Sequence, residues 1–268
     1  MAVSLCETFL SLASSTHRRL ARARRVLHQP LEETFTDLNI LELKFRHPTE
    51  IYSEAFTKRR EGVNGADWEW WLTNSSRNLW LGLRIQAKVL HLANNSFEHL
   101  HYKDKKTKIY QLHKLQYEAT RDGLVPLYCI YAHGVSRKTL RGRQCLNSGH
   151  ATQSYGCSLV SSAHVARLQV AAETRDLYSV IRAAVPWHCL VCSNCQSQGA
   201  DLPTTAWAYL QNEFEEMRNV TIDPKQEIRP GPRPNPPKHV IDILEGRIPE
   251  DPPPNIQGVL VIAPHQNG

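Results

Sequence analysis

Asp67, Gln86 and Lys88 have the types and spacing to act on a phosphodiester. Gln86 and Lys88 close an alternating run through Leu81, Leu83 and Ile85. In a strand, residues two apart share a face. Asp67 opens the preceding apolar stretch, and a hairpin through Asn74 to Asn78 would bring it beside that pair. A carboxylate can hold a hard cation such as Mg²⁺ or Mn²⁺, which keeps most of its waters. That ion stabilises charge developing on phosphate and lowers the pKa of a bound water. A neighbouring lysine orients the water, assists its deprotonation and offsets negative charge. The amide oxygen of Gln86 is a neutral, weaker ligand, so a further acid is expected. Glu32, Glu33 and Glu61 are the candidates. Glu32 is preferred to Glu33 because it lies nearer the face of Leu31, Phe35 and Leu38 on a helical wheel.

The elements that must position these residues are readable in outline. Leu5, Phe9 and Leu12 recur at helical spacing, as do Leu31, Phe35 and Leu38. Pro30 suits the first turn of the second helix, followed by Glu32 and Glu33 where the dipole favours acids. Strands are expected over 51–58, 66–73, 80–90 and 125–131, with a helix carrying Ile109, Leu112 and Leu115 on one face before the fourth. Short helices are expected at 158–168 and 174–184, and a longer one at 205–218. Most prolines fall between 219 and 257, which reads as an extended arm, and Gly258 to Ala263 reads as a buried strand. The chain thus divides into a basic N-terminal helix (1–29), a core (30–135), a mainly helical, cysteine-containing extension (136–218) and a proline-rich arm ending in a short strand (219–268).

Asp67, Gln86-Ala-Lys88 and the hairpin between them resemble the PD-(D/E)XK, restriction-endonuclease-like nucleases. The glutamine resembles the Q-x-K variant of Mrr-type restriction enzymes. Glu61 with Gly65-Ala-Asp67 is also similar to an uncharacterised bacterial family of such nucleases. The resemblance covers about residues 30–131. It implies an α/β fold with an α-β-β-β-α-β core. It implies a magnesium- or manganese-dependent endonuclease acting on DNA, with a role in restriction or anti-phage defence. Its site would hold the metal on Asp67, Gln86 and Glu32, with Lys88 and Glu61 alongside. The alternative is a catalytically inactive nuclease fold that binds nucleic acid or protein.

The rest of the chain bears on partners. The net charge is +6 and the sequence pI about 9.0, which suits a polyanion because each phosphate contact releases counterions. Five arginines lie between Arg18 and Arg25, with Glu7 the single acid of residues 1–28. They could grip phosphates, form a solvated helix face, or belong to a mitochondrial transit peptide; the helix is the preferred reading. Trp68, Trp70 and Trp71 could stack on bases but more often fill a core. Seven cysteines, odd in number and unevenly spread, point to a reducing, cytoplasmic setting. Cys189, Cys192 and Cys195 repeat a C-x-x-C spacing that zinc uses, yet a structural site needs four ligands, usually as two separated pairs; the partner pair is missing, Cys157 or His188 could contribute, and reduced structural thiols are the preferred reading. No apolar run is long enough to cross a bilayer. A dimer is compatible with the sequence and not required by it.

Overall fold

The computed structural model describes residues 3–56, 68–140, 152–192, 201–218 and 230–264. Its centre is a mixed, seven-stranded sheet of order β1-β7-β2-β3-β4-β5-β6. The strands are β1 (Ile51–Ala55), β2 (Trp68–Thr73), β3 (Trp80–Val89), β4 (Val125–Tyr131), β5 (Cys157–Ser161), β6 (Val185–Pro186) and β7 (Gly258–Ile262). The helices that matter most for positioning are α1 (Leu5–Arg25), α2 (Glu32–Arg46), α3 (Gln111–Asp122), α4 (Ser162–Val170), α5 (Leu177–Ile181), α6 (Leu202–Glu213), α7 (Glu215–Arg218) and α8 (Lys238–Leu244).

Local chemistry explains where these elements start. Ser4 and Glu7 form a capping box: the Ser4 hydroxyl accepts from the Glu7 amide at 3.2 Å, and Glu7 accepts from the Ser4 amide at 2.8 Å. The β2–β3 hairpin is closed by Asn74, whose side chain accepts from the Asn78 amide at 3.0 Å and donates to Asn78 Oδ1 at 2.7 Å. Gly123 ends α3 in the left-handed conformation, at φ 65°.

Trp70 and Trp71, adjacent on β2, point to opposite faces of the sheet. Trp70 meets Trp187, which packs on Phe9 of α1. Trp71 lies under the Arg233 guanidinium, 4.6 Å from the ring centre. The bulk of these rings needs space on the flanking strands. Trp71 is paired with Gly82 of β3 and Trp68 with Gly258 of β7. A Cβ at Gly258 would stand 2.5 Å from the Trp68 ring. All three tryptophans of β2 are buried, so they belong to the core.

Several boundaries differ from the sequence reading. Residues 157–161 form β5 rather than the start of a helix, and all five are buried. A strand covered on both sides loses its two-residue period and cannot be told from a buried helix. The proline-rich region contains α8, and β7 inserts between β1 and β2, antiparallel to the first and parallel to the second. The second helix begins at Glu32, after Pro30, and Leu31 is its exposed cap residue rather than part of a buried face. Ile109 likewise precedes α3 and is exposed. No described helix is long and apolar enough to cross a membrane.

Candidate functional site

Lys88 lies next to the end of β3 and is buried, its side chain 5% exposed. Its Nζ stands 3.7 Å from Oε1 of Glu32, the first residue of α2. The helix dipole favours a carboxylate in that first turn. Gln29 fixes the approach of the two elements. Its amide donates to the Leu90 carbonyl at 3.3 Å and accepts from the Leu92 amide at 2.8 Å, tying the start of α2 to the exit of β3. A cavity of about 400 Å³ opens there, lined by Glu32, Glu33, Lys88, His91, Phe97 and His99 among others. Gln86 shares the Lys88 face by alternation, is buried, and donates to the Ala87 carbonyl at 3.4 Å. Asp67 and Glu61 lie outside the described residues. Trp68, which follows Asp67 in the chain, pairs with Ile85 one residue before Gln86.

The structure therefore brings Lys88 and Glu32 together at the carboxyl end of β3. That end neighbours the parallel strand β4, where Lys88 pairs with Ile130. Glu32 and Gln86 supply oxygen donors of the kind a hard cation takes. Among the described residues, no group of three or more His, Cys, Asp or Glu side chains is set to hold a metal ion.

A second constellation, centred on Arg84, was not anticipated from the sequence. Arg84 ion-pairs with Glu69, with Glu118 at 3.4 Å and with Asp122 at 3.2 Å. Glu69 also accepts from Trp71 Nε1 at 3.1 Å and lies 3.0 Å from His239 Nε2. Burial would raise the Glu69 carboxyl, but the His239 hydrogen bond and the Arg84 charge hold it at about 2. Glu118 is shifted the other way, chiefly by burial, despite Arg84 beside it. Asn255 donates to Glu118 at 3.2 Å, and Arg233 donates to the Asp122 carbonyl at 3.0 Å. This network is buried at Arg84 and Glu69 and reaches solvent at Asp122, whose side chain is 32% exposed. It joins β2, β3, α3 and the C-terminal segment, and its chemistry is that of a brace. The signal in the sequence was the row Arg84, Gln86, Lys88: three polar residues on one face of an otherwise apolar strand.

Two further sets of residues find places. Four of the five arginines, Arg18, Arg19, Arg22 and Arg25, are exposed on α1, while Arg24 donates to Asn95 at 2.5 Å. Cys189 and Cys192 are buried against Cys6 of α1, beside Tyr209, a contact that sequence spacing could not reveal. Cys195 lies outside the described residues.

Neither the comparison with curated proteins nor that with solved structures gave a match. A family model matches residues 5–267, nearly the whole chain, and on that ground the protein belongs to DUF6615, a family of unknown function.

Proposed function

We propose that this protein is a metal-dependent endonuclease hydrolysing phosphodiester bonds in DNA, on a restriction-endonuclease-like core built from α2, β1, β2, β3, α3 and β4. The observation that carries the reading is the buried Lys88, facing the Glu32 carboxylate at 3.7 Å beside an open cavity. The element order α-β-β-β-α-β supports the core assignment, and the exposed arginines of α1 supply charge for a polyanion.

The donors fit Mg²⁺ or Mn²⁺, because Glu32 and Gln86 offer hard oxygens and Asp67 would add a second carboxylate. When bound, the ion polarises the scissile phosphate and acidifies a water. Glu32 and Asp67 would hold such an ion, and Gln86 would offer a neutral oxygen. Lys88 orients the attacking water and neutralises charge on a non-bridging oxygen. A role in restriction or anti-phage defence follows from the same resemblance.

Incubation of the purified chain with plasmid DNA and with RNA, in Mg²⁺ or Mn²⁺, tests the reading. Cleavage by the wild type that is lost in Asp67→Ala and Lys88→Ala supports it. Salt-dependent binding with no turnover, unaffected by Lys88→Ala, replaces it with an inactive nuclease fold that serves as a binding module.

A further inference from the structure

The helix α2 carries apolar residues on two sides. Its inner side buries Phe35, Thr36, Asn39 and Leu43, with the Thr36 hydroxyl bonded to that of Tyr131 at 2.9 Å. Its outer side carries Leu38, Leu41 and Phe45, and Leu31 continues the row one residue before the helix. Among the described residues, none of these four belongs to the core or packs against it. Leu31 is 67% exposed, Leu41 63% and Phe45 79%, while Leu38 is half-buried. Large apolar side chains scattered singly on a surface need no explanation. These are in register. Leu31, Thr34, Leu38, Leu41 and Phe45 follow one another at spacings of three and four, the repeat with which one helix packs along another. On a helix they fall in one stripe, turned away from Phe35, Asn39 and Leu43.

The charges beside the stripe decide what covers it. Asp37 and Lys44, both exposed, stand on one flank, each one position before a seam residue, and Glu42 stands on the other. Against a second α2 running antiparallel, Leu38 meets the partner's Leu41, and Thr34 meets the partner's Phe45. That register sets Asp37 against the partner's Lys44, and the two-fold axis repeats the pair with opposite sign on each side. Lys44 donates to the Ser53 carbonyl at 3.1 Å, and an ammonium group has two further donors for that carboxylate. Glu42 needs no partner across this seam, since it pairs with Arg46 of its own helix at 3.0 Å. A parallel register instead sets Asp37 against the partner's Glu42, like charge against like. We propose that α2 is the interface of a homodimer, in which two copies of the helix pack antiparallel through Leu38, Leu41 and Phe45. The stripe exposes on the order of a few hundred Å² of apolar surface per chain, the scale at which a patch marks an interface. Two stripes with their polar rims approach the roughly 1,200 Å² at the low end of specific dimers. The dimer is therefore reversible and concentration-dependent. It does not rest on the nuclease reading.

Sedimentation velocity of the full-length protein, over roughly 1 to 200 µM, tests the pairing. The wild type is expected to pass from a species of 30.6 kDa to one of twice that mass. Leu41→Ser and Phe45→Ser each weaken the dimer at least about 30-fold, with the far-UV circular dichroism of wild type, because neither side chain packs on the core. Asp37→Lys and Lys44→Asp each weaken it about 5-fold or more, and the two together restore it to within about 3-fold. The restored double variant separates the charge contact from the Lys44–Ser53 bond. A wild type that stays monomeric throughout leaves the stripe to another occupant and overturns the proposal. So does a dimer indifferent to Leu41→Ser or Phe45→Ser, or a trimer or larger assembly. A dimer that tightens with Asp37→Lys, or that the double charge exchange does not restore, overturns the antiparallel register.

Discussion

Replacing Glu69 by glutamine should cost the protein about 3 kcal/mol near neutral pH and much less in acid. The side chain is 2% exposed yet ionised, because His239 and Arg84 more than offset the burial that would raise its pKa. A fall from the ordinary 4.5 to about 2, at about 1.4 kcal/mol per pKa unit, corresponds to about 3 kcal/mol of stability. The folded-state value lies below the unfolded one. The contribution is therefore complete above the unfolded value and is lost as pH falls through the folded one. Glu118 has the opposite sign: its raised value adds stability only in acid and costs some as pH rises. Between these two carboxylates, the loss as pH falls from 4.5 to about 2 therefore belongs to Glu69. Glutamine keeps the shape and one acceptor and leaves Arg84 with Glu118 at 3.4 Å and Asp122 at 3.2 Å. Urea denaturation of both proteins at pH 7 and pH 3 measures the effect. The difference at pH 3 should be under about half that at pH 7, and the neutral-pH melting point should fall by roughly 6–12 °C. A variant within about 0.5 kcal/mol of wild type at pH 7, or one whose cost is equal at both pH values, would refute this electrostatic account.

Four other outcomes are expected. Lys88→Met should lower DNA cleavage at least about 100-fold while the far-UV circular dichroism stays that of wild type; full activity would remove Lys88 from the chemistry. A Cβ at Gly82 would stand 2.4 Å from Leu124 Cδ2 and 2.8 Å from Trp71, so Gly82→Ala should cost about 1–3 kcal/mol in urea denaturation, and a neutral result would mean the Trp71 seat is loose. Tyr131→Phe removes a hydroxyl 2.9 Å from Thr36 Oγ1 in the buried α2–β4 contact, for a loss of about 1 kcal/mol by the same assay. Burial first, then the charges of Arg24 and His17, lower His133 to about 4; its ring protons should titrate there by NMR, with stability falling as pH drops from 6.5 toward that value, and a midpoint near 6.5 would contradict the packing.

The β2–β3 hairpin was legible because its information is local. Asn74 and Asn78 make the turn, and the alternation of Leu81, Leu83 and Ile85 survives where β3 is flanked by polar residues on its other face. The Ser4–Glu7 capping box is equally local. What could not be read depends on distant partners. Nothing near Gly258 says that its strand lies between β1 and β2, since that place is set by the fit of Trp68 over a residue with no side chain. The meeting of Cys6 with Cys189 follows from the docking of Trp187 on Phe9, again a contact between distant segments. The preference for Glu32 rested on a face that included Leu31. In the fold Leu31 is 67% exposed, and Glu32 reaches Lys88 because Gln29 pins the start of α2 to the end of β3.

The strand β3 carries both scaffold and candidate site on one face, and the pairing of its cations separates them. Arg84 is buried among three carboxylates, one of them held by His239 as well. A buried charge paired with three carboxylates, though its Nε has no partner among the described residues, roughly breaks even against an apolar substitute, and its effect is to fix how β2, β3 and α3 register. Lys88, four residues on, is almost as buried but has one described carboxylate partner, at 3.7 Å, beyond hydrogen-bond distance. A cation held that thinly works against stability. Its neighbour on the other side is not a helix but the cavity at the carboxyl end of β3. Poorly compensated charge beside an open cleft is the arrangement that a ligand completes. Composition does not tell Arg84 from Lys88, since each is a basic residue in an apolar strand. The number and distance of their partners does, and under the proposed nuclease reading it makes Lys88, not Arg84, the residue expected to meet a phosphate.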